Sequence, residues 1–122
     1  VLLLADVEGQ SNMEFSVGDS FDAKTAIPDS INYPNLRLFS VAKKASLTPL
    51  FNTTDRWTDG AHWVVSQPTY VGGGSFEYFS ATCYYFARSL YKALNVDGAV
   101  VPIGAIDTCV SLAIIITNQI LF

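Results

Sequence analysis

The chain holds one histidine, His62, among its 122 residues. A single imidazole cannot build a histidine-rich metal centre. It holds two cysteines, Cys83 and Cys109. Two cysteines make no disulfide framework, and these two lack metal-ligand spacing. Buried free thiols are common, so both are expected to be structural. Cations are also scarce, with 7 basic residues against 11 acidic ones and a formal net charge of -4. Their longest run is Lys43-Lys44. Tracking a nucleic acid backbone needs clustered cations, which excludes nucleic acid as a partner. Long apolar runs are missing as well. Residues 112–116 are apolar throughout, but a membrane-spanning helix needs about 20 such residues. Neither a metal site nor a membrane span is expected.

Apolar material in short pieces is plentiful. Half of the residues are hydrophobic and 13% are aromatic, which excludes a disordered chain. A domain of this length buries roughly two-thirds of its unfolded surface, enough for a core.

The pattern of that material predicts a mixed architecture. Residues 1–7 form an apolar run closed by Glu8-Gly9, as a buried strand entering a turn would. Residues 18–33 carry Gly18, Asp19, Pro28, Asp29 and Asn32 and are expected to be a loop. Residues 36–42 predict a second strand. Residues 43–74 have little helical period and hold Pro49, Gly60, Pro68 and Gly72-Gly73-Gly74. They are expected to run over the surface, anchored by Trp57, Trp63, Val64 and Val65.

Residues 75–95 give the clearest signal. Phe79, Cys83, Phe86, Leu90 and Leu94 recur at three- and four-residue steps, which predicts one buried helical face. Ser75 is the expected cap, and Arg88 and Lys92 suit the helix's C-terminal half. Residues 100–106 then predict a strand with Pro102 near its start. A closing strand–helix–strand unit implies an α/β fold with a parallel sheet. Residues 1–110 form the expected domain, and residues 111–122 form a hydrophobic tail of different character.

A serine hydroxyl needs a base in reach and donors for an oxyanion before it acts as a nucleophile. A tight turn after a buried strand exposes the hydroxyl and aims backbone N–H groups at a substrate. Gly9-Gln10-Ser11, after residues 1–7, fits that placement.

The longer run Gly9-Gln10-Ser11-Asn12-Met13-Glu14-Phe15 resembles the nucleophile block of sialate O-acetylesterases, carbohydrate esterases of the SGNH-hydrolase superfamily. Asn35-Leu36-Arg37-Leu38-Phe39, the stretch from Trp63 to Pro68, Phe79-Ser80-Ala81 with Phe86-Ala87-Arg88, and Pro102-Ile103-Gly104 resemble later blocks of that family in the same order. The resemblance implies a flavodoxin-like, three-layer SGNH domain, here its N-terminal part and incomplete at the C-terminus. It implies Ser11 as the nucleophile, with its own N–H as one oxyanion donor and Gln10 and Asn12 supporting the turn. It implies an O-acetylated sugar or sialic acid as substrate, no cofactor, and a secreted or lysosomal setting.

Two departures accompany the resemblance. Asp6-Val7-Glu8 runs into Gly9 with fewer residues than the family has there. After Pro102-Ile103-Gly104 the family continues into a Gly-Gly segment, whereas here Asp107-Thr108-Cys109-Val110 leads into residues without glycine. The family's C-terminal Asp and His have no counterpart, so impaired or absent activity is expected. A non-catalytic chain or a weak carbohydrate-binding protein is the alternative.

Other residues compete for roles. Gly18-Asp19-Ser20-Phe21 resembles the Gly-Asp-Ser block of lipases in the same superfamily, which offers Ser20 as a second candidate nucleophile. Its plain reading is a turn residue. His62 does not fall where the family keeps its base, and it is expected to be a surface or packing residue. Gly72-Gly73-Gly74 lacks the spacing of a phosphate loop and is expected to be a flexible lead-in to the helix. Trp57, Trp63, Tyr70 and Tyr78 could stack on a sugar ring, although such aromatics usually pack the core. An exposed sheet edge is expected to favour self-association.

Overall fold

A computed structural model describes residues 3–7, 11–43, 47–48, 51–57 and 62–109. Among these described residues, four strands form one sheet in the order β1-β4-β2-β3: β1 (Leu3–Val7), β2 (Leu36–Ser40), β3 (Val64–Val65) and β4 (Ile103–Asp107). The central strand β4 runs parallel to both β1 and β2, and the short β3 is antiparallel to β2. The described α-helices that accompany the sheet are α1 (Ala23–Asp29), α2 (Pro68–Val71) and α3 (Ala81–Leu94). The expected α/β fold with a parallel sheet is observed, with the short β3 as its antiparallel member.

Alternation along the strands explains where the core sits. Leu36 pairs with Ile103 and Leu38 with Ala105, so all four point to one face. There they meet Val64, Ala26 of α1, Val71 of α2, and Cys83, Tyr84 and Ala87 of α3. The other face carries Phe39, whose ring lies 5.5 Å from that of Trp63. Gly104 lies beneath them, where an added Cβ would come within 2.8 Å of the Leu4 side chain. At the C-terminal ends of β2 and β4 the core face changes character. The alternation there places Ser40 and Asp107, both buried.

The stretch expected to be a loop contains α1. Pro28 lies inside this helix, where its missing N–H costs one intrahelical bond. Burial of Ala23 and Ala26 offsets that cost. The long helix also starts later than expected. Ser75 and Phe76 have positive φ of 62° and 58° and form a turn. Ser80 is the cap, its Oγ accepting from the Cys83 amide at 3.2 Å. Its buried stripe centres near Ala87, whose small side chain lets the helix lie close to the sheet. Phe86 falls about 100° round the helix from Ala87 and is 54% exposed.

The run Gly72-Gly73-Gly74 is packed rather than loose. The Gly18 amide donates to the Gly73 carbonyl at 2.8 Å. Gly73 has φ 111°, and the Tyr78 ring comes within 2.1 Å of where its Cβ would stand. The expected surface excursion contains β3 and α2, and a bridge between Val41 and Asp55 ties its first half to the end of β2. The hydrophobic tail expected over residues 111–122 lies outside the described residues.

Candidate active site

The C-terminal ends of the parallel strands lie side by side, with Asp107 in register with both Val7 and Ser40. This edge is where open α/β sheets hold their ligands. Ser11 begins the 3-10 turn Ser11–Glu14, the first described element after β1. Gly9 and Gln10 lie outside the described residues, and Asn12 is exposed.

The rest of the turn is tied down. Met13 O accepts the Ser80 hydroxyl at 2.5 Å. Phe15 O accepts the Ala81 amide at 2.7 Å. Both ties reach the first residues of α3, so the helix start and the serine turn hold each other.

Beneath this turn lies a buried charged cluster. Glu14 and Asp107 are each 1% exposed. Asp107 Oδ2 accepts the Ser40 hydroxyl at 3.0 Å and the Ser80 amide at 3.2 Å, while Oδ1 accepts the Cys109 amide at 3.2 Å. Arg56 stands between the two carboxylates, with Nη2 3.8 Å from Glu14 Oε1 and 3.9 Å from Asp107 Oδ2. Its Nη1 donates to Tyr78 O at 2.9 Å, and its backbone amide donates to Ser40 O at 2.8 Å. Lys43 pairs with Glu14 and donates to Phe76 O at 2.9 Å.

Two carboxylates and two cations thus balance, with Lys43 at the solvent edge of an otherwise buried site. That balance is what makes such burial tolerable, because an isolated buried charge would cost several kcal/mol. Burial pushes both the Arg56 guanidinium and the Lys43 ammonium below their ordinary values, against the pull of Asp107.

Beside the cluster lies a second carboxylate site. Asp55 is buried, its Oδ1 accepting the Trp57 amide at 2.8 Å and its Oδ2 the His62 amide at 3.0 Å. His62 Nδ1 lies 3.4 Å from the same Oδ2, and the side chain is 67% exposed. His62 is therefore a surface residue, as expected, but one whose ring is oriented by a buried acid. Trp57 and Tyr70 pack their rings at 5.1 Å, and Trp57 stacks on Phe79 at 6.3 Å. These aromatics support the core.

Ser20 sits in a different setting from Ser11. Its hydroxyl donates to Val17 O at 2.7 Å and pairs with the Tyr85 hydroxyl at 2.7 Å. It closes the 3-10 turn Val17–Asp19 and does not follow a strand. Cys83 and Cys109 are buried thiols. Burial, with the Asp107 charge nearby, pushes the Cys109 thiol up to about 12. Among the described residues, no group of three or more His, Cys, Asp or Glu could hold a metal ion. Nor is any described helix long and apolar enough to cross a membrane.

Sequence reasoning overlooked the charged cluster. Glu14 stands inside the recognised block, and Asp107 continues the two-residue period of Ile103 and Ala105. Arg56 gave no such signal, because it lies in an irregular stretch whose path only the folded chain reveals.

No protein-family model matches the chain. By fold, it is similar to a carbohydrate acetylesterase from Xanthomonas citri, with a TM-score of 0.65 and 29% identity over 88% of this chain and 21% of that one. By sequence, it is 35% identical over 112 residues to the sialate O-acetylesterase of Mus musculus. Its identity to the Homo sapiens sialate O-acetylesterase is 33% over 113 residues. These alignments cover 88% and 86% of the chain. The chain belongs to the sialate O-acetylesterase family. It spans about a fifth of the length of these relatives, 19% in each case.

Proposed function

We propose that the chain carries the nucleophile region of an SGNH-type carbohydrate esterase that removes O-acetyl groups from sialic acid or a related sugar. The observation that carries this reading is the position of Ser11. It opens the first described turn after β1, at the C-terminal edge of a parallel sheet, in a chain related to acetylesterases. Ser20, engaged with Val17 and Tyr85, lacks that placement.

In the proposed reaction the Ser11 hydroxyl loses its proton to a base and its oxygen attacks the acetyl carbonyl carbon. A backbone donor at Ser11 steadies the resulting oxyanion, with Gln10 and Asn12 supporting the turn. Collapse of the tetrahedral species breaks the bond to the sugar oxygen, which takes up a proton, and leaves acetyl on Ser11. Water then releases acetate and restores the serine.

His62, the single imidazole of these 122 residues, is a surface residue beside Asp55. We expect release of acetate from an O-acetylated sialic acid, and hydrolysis of p-nitrophenyl acetate. Ser11→Ala should abolish both. Turnover unchanged by Ser11→Ala would refute the assignment, and turnover lost in Ser20→Ala instead would move it to Ser20.

A further inference from the structure

Three features outside the proposed chemistry invite a role: the Asp55–His62 pair, the thinly covered face around Leu4 and Trp63, and the buried cluster under the serine turn. The cluster carries the furthest. We propose that Arg56 is a positioning residue, which sets the depth and orientation of the Ser11 turn by bridging Glu14 to Asp107. This rests on the reading of Ser11 as nucleophile.

Arg56 connects four segments that are distant in sequence. Its guanidinium faces Glu14 in the serine turn and Asp107 at the end of β4. It also donates to the Tyr78 carbonyl ahead of α3 and, through its amide, to Ser40 at the end of β2. Its side chain is 11% exposed, and among the described residues its Nε and Nη2 make no hydrogen bond. The two carboxylates hold it by charge.

Asp107 is itself fixed, by Ser40, Ser80 and the Cys109 amide. Glu14 stands three residues after Ser11 in the same turn. A guanidinium between them refers the serine turn to the end of the central strand. A planar guanidinium can face two carboxylates with its delocalised charge while one of its N–H groups serves a carbonyl. A lysine ammonium, as a point charge, cannot span all three.

The test compares the whole chain with Arg56→Lys, Glu14→Gln and the double variant. Each is labelled with a fluorophosphonate, and adducts are located by mass spectrometry. A displaced nucleophile reacts slowly, whereas a partly unfolded preparation labels to a lower final extent. The proposal expects the rate constant for Ser11 labelling to fall about 10- to 100-fold in each single variant, with the final extent unchanged. The double variant should be no slower than the slower single one, because both changes break one bridge. An unchanged rate in Arg56→Lys, a loss confined to final extent, or additive effects would overturn it.

Amide hydrogen exchange gives a readout independent of reactivity. The Phe15 amide bonds to Asn12 O, and the Ala81 amide to Phe15 O. Both should exchange at least about tenfold faster in Arg56→Lys if the bridge holds the turn. If the unmodified chain takes no label on Ser11, the nucleophile reading fails, while faster exchange still upholds the bridge. Unchanged exchange overturns the bridge whether or not Ser11 reacts.

Discussion

Ser80 shows how much one small polar side chain can organise. Its hydroxyl donates to Met13 O and accepts from the Cys83 amide, and its own amide donates to Asp107. One residue thus caps α3, holds the serine turn and helps fix the buried acid. Ser80→Ala removes the cap and leaves a buried carbonyl without its donor. We expect a loss of about 1–3 kcal/mol in urea unfolding, together with slower Ser11 labelling.

Tyr33 and Cys109 make a second point at this scale. Burial, reinforced by its hydrogen bond to Asp29, pushes the Tyr33 phenol from 10.0 up to about 12. Cys109 rises from 9.0 to about 12 by burial and the Asp107 charge. Both are acids whose neutral form the fold favours. Their stabilisation is fully present below about pH 9 and is lost as pH climbs toward 12. Thermal unfolding followed from pH 8 to 11 should show a falling midpoint, and Tyr33→Phe should flatten part of the fall. A flat profile in the parent chain would contradict this.

Ser11 could be named as a candidate from the sequence because its whole block is local. Arg56 could not, because its partners Glu14 and Asp107 lie 42 and 51 positions away in the chain.

At the scale of elements, three strands and the long helix could be read from their periods. The errors have local causes. Pro28 masked α1, although Ala23 and Ala26 already sat three residues apart on what is its buried face. Ser75 looked like a cap, but its positive φ ends one turn before Ser80 begins the helix. The two-residue strand β3 is too short to show alternation and exists by pairing with Arg37 and Leu38. Composition hid the role of Gly73, where glycine is required by a φ of 111° and by the Tyr78 ring. Gly73→Ala should lower stability by about 1–3 kcal/mol in the same urea assay, whereas Gly98→Ala, with nothing within 4 Å, should lose only the backbone part.

For the whole molecule, the relation to acetylesterases covers 88% of this chain and 19% of the mouse relative. Among the described residues β1 pairs on one side only, with β4, and Leu3 and Leu4 on it are 38% and 55% exposed. An unpaired, apolar edge strand is a template for another copy. We expect concentration-dependent self-association in sedimentation velocity, reduced by Leu4→Lys. A monomer at all concentrations would contradict that.

The central claim remains that Ser11, in its turn at the end of β1, is the nucleophile. Peptide mapping after reaction with a fluorophosphonate tests it most directly. The account predicts a single stoichiometric adduct on the peptide containing Ser11, absent in Ser11→Ala and retained in Ser20→Ala. An adduct on Ser20, or none on Ser11 in a folded chain, would contradict it.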